Sequence, residues 1–329
     1  MQLLTSYIRY VFLRKTMFMK TISLCTLGII ALFSFTLLFY GCGKENSGLS
    51  GLSPDQEQTA SQVSVQSETE AQLAFNDIFD NVMGANNQVG MAGTGVFGRL
   101  IAGVNCGQPV ERGNGIDSTH CFSVSFTSLA STTFPLKLVI DFGNGCLGND
   151  GHMRYGRIIT VYTGRLIEAG KSATTTFDGY KIDSFSISGT HVVTNTTTTG
   201  QRQFTVDITN AKINKPSGHN EEWNGHRVIN QVDGSATPEW PTDDVFSISG
   251  SGYGKAESGN VIFAWQSKIT EPLTKKFICP WILQGILNVH RETLPSNSPW
   301  VASLDYGTGG CDNIALLTIN GRTTQITLH

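Results

Sequence analysis

Two glycine-rich segments carry side chains of a type that binds cations. The first holds Asp141, Asn144, Asn149 and Asp150 around Gly143 and Gly145; the second holds Asp305, Asp312 and Asn313 around Gly307, Gly309 and Gly310. Oxygen donors on Gly-rich loops are what Ca²⁺ takes. The same residues are those a tight turn prefers, because Gly, Asn and Asp tolerate positive φ and Asx side chains bond their own backbone. The spacing matches no EF-hand. Turn chemistry is therefore the expectation, with calcium at Asp141, Asn144, Asn149, Asp150, Asp305 and Asp312 as its alternative.

The two segments are copies of one pattern. Leu138-Val139-Ile140-Asp141-Phe142-Gly143-Asn144-Gly145-Cys146 recurs as Ala302-Ser303-Leu304-Asp305-Tyr306-Gly307-Thr308-Gly309-Gly310-Cys311. Each is a strand ending in Asp-aromatic-Gly, then a turn and a cysteine. Each also has an earlier cysteine, Cys121 or Cys279, and a following strand (residues 158–162 and 314–319). The repeat spans about 121–162 and 279–320.

The other motifs argue against themselves. Gly170-Lys171-Ser172 lacks the upstream glycine and following helix of a phosphate loop. Ser249-Gly250-Ser251-Gly252 lacks the strand-turn-helix setting of a nucleophile elbow. Glu221-Glu222 and Asp243-Asp244 are adjacent, and neighbours in a strand face opposite ways. His120, His152, His191, His219, His226 and His290 are scattered without ligand spacing, so packed or solvated histidine is expected. Trp223, Trp240, Trp265, Trp281 and Trp300 are read as core or strand-end residues, with a sugar-stacking face as the alternative. No catalytic residue is assigned.

The elements that position these residues follow from periodicity. From about residue 120 the apolar positions alternate: Phe185 and Ile187; Phe204, Val206 and Ile208; Phe246 and Ile248; Val261, Phe263 and Trp265. Turn formers such as Asp178-Gly179 and Asp233-Gly234 bound the runs. Without intervening helices, the expected fold is all-β: antiparallel meander sheets, sandwich-like or one long curved sheet, over residues 87–329. Leu73, Phe75, Ile78, Phe79 and Val82 predict one short amphipathic helix over 69–86, packed on that sheet. Residues 42–68 are Ser/Gln/Glu-rich and are expected to be a flexible tether.

Ahead of the tether, Lys20 is followed by an apolar run ending Leu38-Phe39-Tyr40-Gly41-Cys42. A basic flank, an apolar run and a small residue make a secretory signal. Its end resembles a lipoprotein-processing box, which implies lipid on Cys42 and removal of residues 1–41, translation starting at Met1 or at Met19. The alternative is an uncleaved anchor. The chain's net charge is −3, and without residues 1–41 it holds 19 basic against 26 acidic residues, a net −7. That leaves no basic footprint for nucleic acid. Gly43 rather than aspartate follows the cysteine, which favours the outer membrane, on its periplasmic or its surface side.

With Cys25 removed and Cys42 lipidated, five cysteines remain for an oxidising compartment. The repeat proposes Cys121–Cys146 and Cys279–Cys311 with Cys106 left over; a Cys106–Cys121 bond is the rival. The Asp-Phe-Gly-Asn-Gly-Cys and Asp-Tyr-Gly-Thr-Gly-Gly-Cys-Asp-Asn motifs, with Gly156-Arg157-Ile158-Ile159, Asp243 to Gly250 and Cys279-Pro280-Trp281-Ile282, resemble bacterial envelope lipoproteins of uncharacterised role. The resemblance covers roughly residues 120–328; it implies a shared architecture and carries no activity. Three functions are compatible: a non-catalytic surface binding or adhesion module for a glycan or protein ligand, an accessory structural or assembly lipoprotein, and a glycan hydrolase. The partner common to all three is the membrane, through the lipid anchor, and no cofactor is expected besides that lipid.

Overall fold

The computed structural model describes residues 52–84, 121–148, 152–218, 220–237, 243–258 and 261–328, which belong to one compact unit, Ser50–His329. Cys42, Cys106, His120, Asn149, Asp150, His219 and Trp240 lie outside the described residues. Among the described residues the unit is all-β apart from one helix.

The strands are β1 (Ser123–Ser128), β2 (Leu136–Asp141), β3 (Cys146–Leu147), β4 (Met153–Tyr162), β5 (Ser172–Ile182), β6 (Phe185–Asn195) and β7 (Gln203–Asn214). They continue as β8 (Asn220–Asp233), β9 (Val245–Ser258), β10 (Val261–Lys276), β11 (Gln284–Arg291), β12 (Ala302–Thr308), β13 (Ile314–Ile319) and β14 (Arg322–Thr327). They form one open antiparallel sheet in chain order, with β3 extending the line of β2 along β4. Of the two sheet arrangements the alternation allowed, the single long curved sheet is the one found.

The helix α1 (Pro54–Met83) lies against the inner face of this sheet. Its Asp77 meets Arg154 on β4 and its Gln72 meets Tyr306 on β12, neighbouring turns of the helix but eight strands apart in the sheet order. Laid flat, eight strand steps span roughly 38 Å, whereas a helix with its side chains is about 10–12 Å wide. The sheet must therefore curl around the helix. Bulges at Tyr155/Arg157, Ser188/Thr190, Ile208/Ala211 and Gln284/Ile286 supply the bend, since an extra residue in one strand kinks and twists the ladder. Inward residues Leu138, Ile158, Ala173, Val193, Phe204, Trp223, Phe246, Trp265, Leu287 and Leu304 form one core with Phe75, Ile78, Phe79 and Val82 of the helix.

The helix corrects the sequence reading. Residues 54–68, expected as tether, are its first half, and it ends at Met83 rather than 86. Ser53 caps it: its side chain accepts from the Gln56 N–H, Gln56 Oε1 accepts from the Ser53 N–H at 2.9 Å, and Pro54 opens the first turn. The serines that made this stretch look disordered are small enough for close approach to the sheet, and their hydroxyls are bonded. Ser61 donates to the Trp300 carbonyl at 2.9 Å, Ser64 to the Ala60 carbonyl at 2.9 Å and Ser67 to Glu221 at 2.8 Å.

The two repeat units stand near opposite ends of the sheet, as β1-β2-β4 and β11-β12-β13. In each, a disulfide ties the chain before the first strand to the chain after the second: Cys121–Cys146 and Cys279–Cys311. The Asp-aromatic-Gly turns also match. Asp141 and Asp305 each accept from the N–H of the glycine two residues on, at 2.8 Å. Phe142 and Tyr306 point into the core, and Gly143 and Gly307 take φ of 56° and 87°, which a side chain would oppose.

Candidate functional site

The inner face of the sheet is lined with cations, and α1 supplies their counter-charges. Arg291 on β11 grips Glu57 through Nε and Nη2 at 2.6–3.1 Å. Arg227 on β8 meets Glu68 at 3.2 Å, and Arg154 meets Asp77 at 3.2 Å. Lys275 on β10 meets Asp80 at 3.0 Å, and Lys215, just after β7, bridges Glu70 and Glu221. Burial alone would pull the Lys215 ammonium down, but its two carboxylates outweigh that and its pKa is raised. Burial raises the Glu221 carboxyl, with Lys215 opposing.

Glu68, like Arg154, has no exposed surface. Its Oε2 accepts from the indole N–H of Trp223 at 2.8 Å and of Trp265 at 2.9 Å; its Oε1 accepts from Ser267 Oγ at 2.7 Å and from Arg227. The indoles lie close to glycines. A Cβ on Gly225 would sit 2.6 Å from the Trp223 ring, and one on Gly254 would sit 2.5 Å from the Trp265 ring. A carboxylate with both oxygens satisfied and a cation beside it tolerates burial that an unpaired one would not. This cage fixes the helix's position along the sheet.

Beside the second half of α1 the fit is incomplete. Leu73 and Ala74 of the helix, Ile182, Phe185 and Ile187 at the β5–β6 hairpin, Ile213 on β7 and Pro280-Trp281 after β10 leave a groove of about 660 Å³, part of which is open to solvent. Its polar lining is Glu70, Asp77 with the buried Arg154 behind it, and His152 hydrogen-bonded to Asp183 at 2.8 Å. The Cys279–Cys311 disulfide holds the Pro280-Trp281 wall, because Cys279 precedes it directly. An apolar floor with a few polar groups at its edge is the usual form of a ligand site.

Of the histidines and tryptophans singled out in the sequence, His152 and Trp281 line the groove; the other described candidates fall elsewhere. Asp141 accepts from Arg157 Nε at 2.7 Å, and that bond, then the Gly143 N–H, holds its carboxyl below the ordinary range. Asp312 accepts from the Ile314 N–H at 3.0 Å, so with Asp141 and Asp305 it makes turn bonds. Among the described residues no three His, Cys, Asp or Glu side chains converge as a metal site would require. Trp223 and Trp265 are buried and Trp281 and Trp300 half-buried against the core, so the described tryptophans form no exposed stacking face. Glu221 points inward and Glu222 outward, between Lys212 and Lys255. His226 bonds Asp207 at 2.6 Å with Ser251 opposite it, but this row lies half exposed on open sheet. A serine nucleophile needs oxyanion donors in a water-poor site.

The groove was not legible as a site, because its apolar lining comes from the helix, three strands and the Pro280-Trp281 loop, which only the tertiary fold brings together. The acidic side of α1 had a signal: Glu57, Glu68, Glu70, Asp77 and Asp80 recur through a stretch with a capping box at its head. Comparison with protein-family models, curated proteins and solved structures gives no match to the chain.

Proposed function

We propose that this chain is a lipid-anchored cell-envelope protein, tethered to the outer membrane through Cys42, and that it acts as a non-catalytic binding module. The observation that carries the reading is the half-open groove beside α1. A groove open along one side receives part of a partner rather than enclosing a whole molecule. Its floor suits an apolar moiety and its polar lining suits a polar remainder, so an amphiphilic ligand fits both. The lipobox-like end of the leader supports the anchor. With lipid on Cys42 and the helix beginning at Pro54, residues 43–53 would reach at most about 40 Å.

The Ser50–His329 unit, secreted as a soluble protein, is titrated into 1-N-phenylnaphthylamine and the probe's fluorescence followed. Enhancement is expected, with affinity falling about tenfold or more in Ala74→Trp, which fills the groove. Absence of enhancement, or enhancement indifferent to Ala74→Trp, rejects the groove as the binding site.

A further inference from the structure

The outer face of β8–β11 has an arrangement that the groove does not use. Cross-strand register places Asn224 on β8 opposite Tyr253 on β9, Tyr253 opposite Gln266 on β10, and Gln266 opposite His290 on β11. Four strands make this row roughly 14 Å long. Tyr253 is 60% exposed, a large ring standing on the middle of a broad sheet. The Asn224 carbonyl oxygen accepts from the Asn210 N–H at 2.8 Å, and its amide N–H₂ group remains as a donor.

The rows on either side carry charges that are mostly engaged with one another, Lys268 apart. On one side Glu222 lies between Lys212 and Lys255, at 3.3 and 2.9 Å. Those bonds hold the Glu222 carboxyl low and the Lys255 ammonium high. On the other side Asp207 is bonded to His226, next to Ser251 and Lys268. A strongly ionic ligand finds few unmatched charges here. A protein partner would need a wider desolvated apolar core than one ring provides. What the row offers is an aromatic face for C–H groups, flanked by amide, imidazole and hydroxyl groups that donate and accept. A neutral sugar presents both: an apolar ring face and a rim of hydroxyls.

We infer that the outer face of β8–β11 is a binding site for neutral glycans, with Tyr253 as the stacking platform and Asn224, Gln266 and His290 as its hydrogen-bonding edge. The site is separate from the groove and stands or falls independently of it. Purified full-length protein in detergent is tested by biolayer interferometry against immobilised β-glucan, mannan, galactan and dextran. Binding to at least one is expected, with affinity lowered tenfold or more in Tyr253→Ala, retained in Tyr253→Trp and weakened in Gln266→Ala. Unchanged melting temperatures and unchanged 1-N-phenylnaphthylamine binding in these surface variants show that fold and groove are intact. Binding to none of the four, or binding that Tyr253→Ala leaves unchanged, overturns the inference. Binding only to charged glycans, tested in parallel with heparin and alginate, overturns it as well.

Discussion

At the scale of single residues, the buried charges decide stability. Glu68 holds two indoles, a hydroxyl and a guanidinium in one place, so its removal strands Arg227, which burial already pulls down. Glu68→Ala is expected to lower the unfolding free energy by about 3–5 kcal/mol, read from urea denaturation. His191 sits fully buried on β6, stacked at 6.2 Å on Phe75, and burial lowers its pKa to about 3. The unfolded chain takes up this proton near 6.5 while the folded chain refuses it until about pH 3, so stability is lost as pH falls through that window. His191→Phe should flatten the loss of melting temperature between pH 7 and pH 4; an unchanged slope would assign the acid sensitivity to other groups. Asp244 works in the opposite sense. Burial, then Asp243, pushes it up to about 7, so its ionisation costs stability as pH rises from 3.8 to about 7. Asp244→Asn is expected to stabilise the protein more at pH 8 than at pH 5.

At the scale of elements, the strands were legible and the helix only half so. Alternation at Phe204, Val206 and Ile208, or at Phe246 and Ile248, reports a strand with one buried face because that face is uniformly apolar. Residues 54–68 defeat the same logic. Their buried positions are Glu57, Ala60, Ser61, Ser64, Val65, Ser67 and Glu68, and the charged ones, with Ser67, find their partners on distant strands, which composition cannot display. The local signals were present in Ser53, Pro54 and Gln56 and outvoted by polarity. Ser53→Ala should therefore cost about 0.5–2 kcal/mol, a penalty that a flexible tether would not show. The repeat was legible because Asp-aromatic-Gly serves one backbone purpose twice. Each disulfide closes a loop, of 25 and 32 residues, worth about 3–4 kcal/mol by chain entropy. Replacing Cys279 and Cys311 by serine is expected to lower the melting temperature and weaken probe binding, because the Pro280-Trp281 wall loses its tie. Replacing Cys121 and Cys146 should lower the melting temperature and leave the probe affinity nearly unchanged.

At the scale of the whole molecule, an open sheet is curled around its own acidic helix. The buried cations Arg154, Arg227, Lys275 and Arg291 each meet a carboxylate of the helix, Asp77, Glu68, Asp80 and Glu57, so helix and sheet are one folding unit. The groove exists because the helix occupies that space incompletely. Amide hydrogen exchange of the Ser50–His329 unit, followed by mass spectrometry, tests this most directly. Peptides covering residues 57–83 are expected to exchange as slowly as those from β8 to β10, and 1-N-phenylnaphthylamine should slow residues 70–77 and 182–187 further. Exchange of residues 57–68 within seconds would mean that this segment is a tether after all, and would contradict both the helix-filled sheet and the groove built on it.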